Sequence, residues 1–226
     1  MKHLRIAIMA WALSMAMGCA VGNKYALEAA PVAAVSQGQG RVVVSAHDQR
    51  PEITGAGRSP NVVGVQRAGF GNPWEVTTNS GHPLATVVAT SMAKALKSAG
   101  FNVAVVPARP TASPSDVSSA AVAKGGDKAV VVTVHAFWSD TYNNVGLTYD
   151  ITLTVLDGSG QVLAQSRAKH EKKLLGGNFM NPPAHAKKVV PRAYARILSS
   201  LLADPKVAKA LAAPVGPGAA DGEPTS

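Results

Sequence analysis

The chain has 226 residues, of which 46% are hydrophobic, 15% charged and 5% aromatic, and its formal net charge is +9. This composition excludes a disordered chain and a coiled coil, and the length is sufficient for a sizeable core. A single cysteine excludes an intrachain disulfide and a cysteine-rich zinc site.

The first nineteen residues are typical of a secretory signal peptide. A basic start is followed by an apolar run over residues 6–17 and then by Gly18-Cys19. The apolar run is about a dozen residues long, whereas a membrane-spanning helix needs roughly 20. We therefore predict that the protein is exported and that residues 1–18 are removed as the signal peptide.

The end of this segment, Ala16-Met17-Gly18-Cys19, resembles the bacterial lipoprotein box, in which small residues precede a cysteine that is lipidated. The resemblance implies cleavage between Gly18 and Cys19 and attachment to a membrane through lipidated Cys19. The family pattern usually has Leu in place of Ala16 and Ala or Ser in place of Met17. Ala20 follows the cysteine in place of the Asp that retains enteric lipoproteins at the inner membrane, which favours the outer membrane, facing the periplasm. The alternative is an ordinary signal peptide cleaved after Ala20.

The two ends of the mature chain lack regular patterning. Residues 19–40 are rich in Ala, Gly, Gln and Pro and are predicted to form a flexible tether. Residues 213–226 are Pro, Gly and small polar residues and are predicted to be disordered. A single domain is predicted between them, over residues 41–212.

The N-terminal half of this domain is predicted to combine strands, helices and a long Gly- and Pro-rich connection. β-Branched runs predict the strands, and apolar residues recurring every three or four positions predict the helices. In chain order these are a strand over 41–47, a connection over 51–81 with short strands at 62–65 and 74–77, a helix over 83–99, a buried strand over 101–106, and a helix over 113–124. Ser115 is predicted to cap the last of these helices.

The C-terminal half is predicted to be a three-stranded meander followed by helices. Apolar residues alternate with Thr148, Asp150, Thr152 and Thr154, so one face of that strand points to the core and the other to water. The predicted elements are strands over 128–138, 147–156 and 161–171, a hairpin turn over 157–160, a turn over 182–189, and helices over 190–202 and 206–211. The turn over 182–189 is predicted because Pro191 fits the first turn of a helix better than its interior. The predicted fold is α+β, with two main helices packed on one face of a mostly antiparallel sheet.

Several stretches, in this order and spacing, are similar to the YajG-type lipoprotein family of Gram-negative envelopes. They are Val42-Val43-Val44-Ser45 with Asp48-Gln49-Arg50, then Lys97-Ser98-Ala99-Gly100-Phe101, Leu147-Thr148-Tyr149-Asp150-Ile151, Gly176-Gly177-Asn178-Phe179, and the ending from Leu201 to Leu211. The resemblance covers residues 40–211 and implies an envelope location, an α+β domain and no known catalysis. The chain departs from the family in its connection over 51–81 and in its Pro/Gly tail.

Patterns for catalysis or metal binding are not evident in the sequence. Beyond the signal peptide, the histidines His47, His82, His135, His170 and His185 lack the spacing of a helical metal site. The carboxylates occur mostly singly in predicted turns, and the chain has neither a Gly-x-Ser-x-Gly elbow nor a phosphate-binding loop. We therefore predict that the protein is not an enzyme and uses no metal or cofactor. A hydrolase is the least favoured alternative, since folding can bring distant acids together.

Basic residues stand above the background in two stretches near the end of the domain. The candidate anion-binding patch consists of Lys169, Lys172, Lys173, Lys187, Lys188 and Arg192, with His170 and Arg196 in the same stretches. Such a patch can meet anionic lipid headgroups, lipopolysaccharide phosphates or an acidic partner. The alternative is an ordinary solvated face. Nucleic acid is not expected as a partner, because the signal peptide predicts export and the sequence lacks the aromatic residues on which nucleic-acid bases stack.

Two groups of aromatic residues are predicted either to pack in the core or to form an exposed binding surface. They are Phe70 with Trp74, and Phe137 with Trp138 and Tyr142. Taken together, the sequence predicts a lipid-anchored, non-catalytic envelope lipoprotein that binds or helps assemble an unknown envelope protein partner. The alternative is a soluble or anchored periplasmic module that binds peptidoglycan fragments or envelope glycans through the aromatic loop around Phe70 and Trp74.

Overall fold

The structure is a computed structural model that describes residues 22–34, 37–67, 71–109 and 112–214. The predicted signal peptide, including Gly18 and Cys19, therefore lies outside the described residues, as does the predicted tail beyond residue 214. In the described part of the chain, the strands are β1 (Lys24–Tyr25), β2 (Arg41–Asp48), β3 (Val62–Arg67), β4 (Pro73–Thr78), β5 (Asn102–Pro107), β6 (Lys128–Thr141), β7 (Asn144–Asp157) and β8 (Val162–Gly177). The helices are α1 (Pro51–Thr54), α2 (Leu84–Ser98), α3 (Pro114–Ala123), α4 (Pro182–Ala203) and α5 (Pro205–Ala212), with a 3₁₀ turn over Leu27–Ala29.

The strands form one mixed sheet around β6. On one side β6 pairs antiparallel with β7, which pairs antiparallel with β8. On the other side its first half pairs parallel with β2, up to Asp48 opposite Val134, and its second half pairs parallel with β3, from Gly64 opposite Ser139. β5 extends the β2 branch, whereas β4 and β1 extend the β3 branch. The sheet is thus forked at the middle of β6.

The prediction of a mostly antiparallel sheet is therefore wrong. The meander of β6, β7 and β8 is antiparallel as predicted, but β2, β5 and β6 run parallel to one another. The physical reason is that α2 and α3 carry the chain back between these strands, as crossover connections do in parallel pairing. Local periodicity predicted β2, β5 and β6 as strands, but it does not contain the direction in which strands pair.

The main core lies between one face of the sheet and the helices α2 and α4, in rough agreement with the prediction of two helices on one face. Both helices present buried apolar stripes to this core, and the Phe137 and Tyr194 rings meet there edge to face, 5.9 Å between centroids. A smaller cluster on the opposite face packs α3, through Val117 and Ala121, against the sheet. Among the described helices, none is long and apolar enough to span a membrane.

The N-terminal segment packs on the domain over the residues that the structure describes. Tyr25 and Leu27 are fully buried, and β1 pairs with β4. Further along, the Ala33 amide donates a hydrogen bond of 2.9 Å to the Ser199 hydroxyl on α4. The sequence predicts a flexible tether over residues 19–40, whereas residues 22–34 are fixed by this burial and pairing.

Two helix boundaries differ from the predictions. The predicted turn over 182–189 and helix over 190–202 form the single helix α4, with Pro191 in its interior. Because proline has no amide hydrogen, the Lys187 carbonyl loses its helical hydrogen bond, and a proline inside a helix costs roughly 3 kcal/mol. The apolar stripe from Ala186 to Leu202 is nevertheless buried before and after Pro191, and this burial stabilises the continuous helix. α3 is capped by Ser113 and not by Ser115, because the Ser113 side chain and Asp116 form a reciprocal capping box.

Candidate functional site

One end of the sheet carries a group of exposed apolar side chains. β3, β6 and β8 end there, and β4, β7 and α4 begin there. We call this group the apolar end; its members are Trp74, Tyr142, Leu174, Phe179 and Met180. Phe179 is 83% exposed and Met180 90% exposed, which is unusual for neighbouring residues of this size.

The loop that carries Phe179 and Met180 is held by hydrogen bonds. The Asn178 side-chain oxygen accepts from the amides of Met180, at 3.0 Å, and Asn181, at 3.1 Å. The Asn181 side chain in turn accepts from the Ala184 amide at 3.0 Å and caps α4. The two Asn residues thus fix the backbone of the loop while both apolar side chains face solvent.

The start of the described chain lies at the same end. The Asn23 side-chain amide donates to the Pro183 carbonyl at the beginning of α4, at 3.4 Å. Gly22 is so close to β4 that a Cβ added there would lie 2.6 Å from the Glu75 carbonyl oxygen. The predicted lipid-bearing Cys19 is therefore three residues from a point fixed beside the apolar end.

A groove between β8, α4 and the N-terminal segment has basic and apolar walls. Its volume is about 740 Å³, and its cations are Lys173, Arg192 and Arg196. In the part of the chain that the structure describes, none of these three is paired with a carboxylate, and no acidic side chain lines the groove. The apolar wall includes Leu175 and Val189. We call this the basic groove.

The structure divides the predicted basic patch. Lys173 and Arg192 both line the basic groove. Arg196 lines it as well, although it was not one of the six residues of the predicted patch. Lys172 lines a different groove from its neighbour Lys173, because successive side chains of a strand point to opposite faces. A register shift in the pairing with β7 and a left-handed backbone at Lys172, φ 51°, mark a bulge at this point of β8. The Lys169 Nζ lies 3.9 Å from the Glu171 Oε1, so this lysine has an acidic neighbour.

The two remaining patch residues, Lys187 and Lys188, are exposed on the second turn of α4. They lie about 8 Å along the helix axis from its start, at 1.5 Å per residue. They are thus near the apolar end, outside the basic groove. Whether the patch residues bind an anion stays a prediction.

The second groove is polar and lies at the β6–β7 turn, beside Tyr142. It has a volume of about 550 Å³ and is lined by Asn143, Asn144, Lys172 and a bidentate ion pair of Arg67 with Asp140, at 2.9 and 2.7 Å. The Asp140 carboxylate raises the pKa of Arg67, so this guanidinium stays charged. The groove therefore offers planar polar groups next to a half-exposed aromatic ring.

A third hollow, of about 350 Å³, lies on the face of the sheet opposite the main core. Its polar lining includes His135, Thr152 and Arg167. Arg167 donates to both oxygens of Asp150, at 2.7 and 2.6 Å, and these hydrogen bonds lower the pKa of Asp150. Burial lowers the pKa of His135, so this imidazole is held toward its neutral form. Among the described residues, no group of three or more His, Cys, Asp or Glu side chains is placed to hold a metal.

The aromatic residues that sequence analysis singled out have different environments. Phe137 is buried in the main core, and the Arg58 guanidinium lies 5.2 Å from the ring centroid of Trp138. Trp74 and Tyr142 are 43% and 44% exposed. Phe70 lies outside the described residues.

A buried ion pair lies at the fork of the sheet, and the sequence predictions did not include it. Arg50 is fully buried and donates to both Asp48 oxygens, each at 2.8 Å. It also donates to the carbonyls of Pro60, Val62 and Phe137, which lie where β2 leaves β6 and β3 joins it. The Asp-Gln-Arg sequence after a strand is typical of an exposed turn, so the pattern contained no signal for burial.

The comparisons with known proteins give weak structural likenesses. Neither a family model nor a curated protein matches the chain. Protein XCC0632 of Xanthomonas campestris, from family DUF330, is similar with a TM-score of 0.48 and 16% identity, over 76% of this chain and 87% of that one. The PelC dodecamer of Paraburkholderia phytofirmans, in a point variant, gives 0.41 and 15%, over 75% and 92%. Lipoprotein GNA1162 of Neisseria meningitidis gives 0.25 and 14%, over 58% and 80%. At these values the likenesses assign neither a family nor a function.

Proposed function

We propose that this chain is a lipid-anchored, non-catalytic protein of the bacterial envelope that binds an anionic partner through its basic groove. The observation that carries the proposal is the convergence of Lys173, Arg192 and Arg196 in one groove without a carboxylate. The lipoprotein-box resemblance at Cys19 supports the anchor, and the periplasmic face of the outer membrane is the proposed location.

The chemistry of the groove favours a phosphate or carboxylate attached to an apolar body. Arginine side chains present planar forks that match both anions, and Arg192 and Arg196 lie one helical turn apart on α4. Leu175, Val189 and Ala195 form an apolar wall beside these cations. No His, Cys, Asp or Glu lines this groove, which supports a binding role at this site over an acid–base one.

The anchor is tested by the intact mass of the protein purified from its native membrane in detergent, beside a Cys19→Ser variant. We expect residues 19–226 with an added lipid mass, and loss of that mass and of membrane association in the variant. A mass for residues 21–226 without an adduct would contradict the anchor and favour a soluble periplasmic protein.

The groove is tested with an NMR titration of dodecyl phosphate, with inorganic phosphate as the headgroup-only comparison. We expect saturable shifts at Lys173, Arg192 and Arg196 that are stronger with the alkyl phosphate. A double variant, Arg192→Glu with Arg196→Glu, should bind dodecyl phosphate with an affinity lower by at least about tenfold, since two attractive charges become repulsive.

The matched control for that titration is Lys206→Glu with Lys209→Glu. It makes the same change in net charge on exposed positions of α5, away from the groove. We expect the control to bind dodecyl phosphate as the unmodified protein does. Equal losses in the two double variants would show that net charge alone acts and would contradict a groove-specific site.

A second candidate function, glycan binding, is favoured by the second groove. Tyr142 is 44% exposed there, beside Asn143, Asn144 and the Arg67–Asp140 pair. An apolar ring with a few fixed polar groups is a common composition for a small-ligand site. Titration with soluble muropeptides should then give saturable shifts around Tyr142 that Tyr142→Ala abolishes. If the shifts persist in this variant, the glycan reading of this groove is wrong.

A further inference from the structure

We infer that the apolar end is the surface with which this protein lies on a lipid bilayer, with Phe179 and Met180 inserted at the boundary between headgroups and acyl chains. The inference deepens the proposed function and rests on its anchor at Cys19. It adds a defined orientation, since the domain would be held by one face and not suspended on a long tether.

The length of chain between the anchor and the domain is the first argument. Cys19 precedes Gly22 by three residues, which span at most about 11 Å when fully extended. Gly22 lies against β4, and Asn23 is hydrogen bonded to the Pro183 carbonyl. A lipid on Cys19 therefore keeps the apolar end close to the membrane surface.

The distribution of exposed apolar side chains is the second argument. In the described ranges, the large hydrophobic residues that are exposed are Trp74, Val105, Tyr142, Val162, Leu163, Leu174, Phe179 and Met180. Five of these eight belong to the apolar end, and the two most exposed are adjacent in one loop. Exposed apolar side chains gathered at one end of a sheet favour an interaction surface, and Trp and Tyr suit the interface between water and lipid.

The charge around these side chains is the third argument. Four exposed lysines, Lys172, Lys173, Lys187 and Lys188, flank the loop of Phe179 and Met180. Basic residues next to exposed apolar ones favour a surface of anionic headgroups, because electrostatic attraction and apolar burial then act together.

Three acidic side chains near this end have cationic partners, and one of them, Glu171, lies with its Oε1 3.9 Å from the Lys169 Nζ. Asp140 is paired with Arg67 at 2.7 Å, and Glu75 is paired with Arg58 at 3.1 Å. The local balance of charge at the apolar end is therefore positive, which complements an anionic leaflet. This complementarity favours a lipid surface over a second copy of the chain, whose own apolar end would carry the same charge.

The opposite end of β8 provides an internal control. Val162 and Leu163 are 58% and 44% exposed at the start of β8, whereas the apolar end lies beyond its last residue, Gly177. At about 3.3 Å per residue, the two ends of this strand are about 50 Å apart. Substitutions at Val162 and Leu163 remove comparable apolar side chains without touching the proposed membrane surface.

The first test uses the mature chain with Cys19→Ser, so that binding does not depend on the lipid. Its partition is measured by co-sedimentation with vesicles of phosphatidylethanolamine and phosphatidylglycerol, and with phosphatidylcholine vesicles as the neutral comparison. Phe179→Ser with Met180→Ser should lower partition to the anionic vesicles by at least about tenfold, because two exposed apolar side chains no longer insert. Val162→Ser with Leu163→Ser should leave it within about twofold.

The second test measures depth directly. Because Cys19 is the only cysteine in the chain, the Cys19→Ser chain accepts a single new label. A polarity-sensitive fluorophore on Phe179→Cys should shift to the blue and be quenched by brominated lipids, and one on Leu163→Cys should do neither. Thermal unfolding of each variant confirms that it is folded.

Two outcomes would overturn the inference. In the first, the Phe179 and Met180 variant partitions like its control and the label at position 179 stays in water. In the second, this variant alters the oligomeric state without altering vesicle binding, which would make the apolar end an interface between copies. Neither outcome concerns the basic groove or the mass of the anchor, so their tests fail or succeed separately.

Discussion

The two halves of β6 lie in different surroundings. In the first half, Val130 and Val131 point to opposite faces and both are buried, one against the main core and the other in the cluster with α3. In the second half, Phe137 is buried but Trp138 is partly exposed, and the strand ends at the apolar end. Helices therefore cover the first half on both faces, while the second half leads to the surface that we propose to lie on the membrane. Under this proposal, one length of the strand serves stability and the other serves recognition.

The largest effect is expected at the junction of the two halves. Arg50→Met leaves the Asp48 carboxylate buried without its partner and removes the donors to three backbone carbonyls. Breaking a buried ion pair in this way costs about 3–5 kcal/mol of the free energy of unfolding, measured by urea denaturation.

The matched control for Arg50→Met is Arg67→Met, which breaks the bidentate pair with Asp140. The Arg67 and Asp140 side chains are 41% and 42% exposed. Solvent screening makes the loss much smaller there than at the buried pair. If both substitutions cost the same, the Asp48–Arg50 pair does not join the halves as described.

The next largest effect is expected where β3 joins the second half. A Cβ at Gly64 would lie 2.1 Å from the Ser139 hydroxyl and 2.3 Å from its carbonyl oxygen. Gly64→Ala should therefore separate the strands and lower the free energy of unfolding by about 1–3 kcal/mol, as overpacking does. Gly158→Ala, in the β7–β8 turn where the nearest atom is at 3.4 Å, should change it by no more than about 0.5 kcal/mol. Equal stabilities would contradict the tight approach of β3 to β6.

A smaller effect, dependent on pH, is expected on the polar face beside the junction. Burial is the main cause that lowers the pKa of His135. The Asp150 carboxylate raises this pKa, whereas Arg167 and His47 lower it further. Folding therefore disfavours the protonated imidazole, so its contribution to stability is complete above the unfolded pKa of about 6.5 and is lost as pH falls below that value. Unfolding in urea at pH 7.5 and 5.5 should show a fall that is reduced in His135→Gln. An identical fall in both proteins would assign the pH dependence to other groups.

The smallest effect on stability is expected at the apolar end. Phe179→Ser with Met180→Ser should change the free energy of unfolding by no more than about 0.5 kcal/mol, because neither side chain is packed. The same double variant is the one expected to lose vesicle binding. A large loss of stability would show that these residues support the fold and would remove the contrast between the two halves of β6.

The fold was predictable from the sequence where the signal is local. The meander over β6, β7 and β8, the helix α2 and the turn over 157–160 follow from period, turn residues and a proline and glycine at the helix ends. The parallel pairing of β2 with β6 was not predictable, since it is set by crossovers through α2 and α3. The continuous helix through Pro191 was also missed, because its burial compensates for the lost hydrogen bond.

The candidate site was predictable only in part. The sequence placed Lys173 and Arg192 in one candidate patch, and they do line one groove. Lys172 faces the other side of β8, as strand alternation requires for a neighbour of Lys173, and the bulge marked by its left-handed backbone is not visible in a strand pattern. Phe179 and Met180 had a signal that was overlooked. Two large apolar residues between Gly177-Asn178 and Asn181-Pro182 stand among turn formers, where a core side chain is not expected.

The buried Lys128 at the start of β6 holds the C-terminal end of α5 against the sheet. Its ammonium group donates to the carbonyls of Leu211 and Ala213 and so fixes the end of α5 at the opposite end of the sheet from Gly22. The chain thus enters the domain at one pole and reaches residue 213 at the other. A reporter inserted directly after Ala213 would lie at the end of the sheet away from the proposed membrane surface, whereas an insertion next to Gly22 would lie beside that surface.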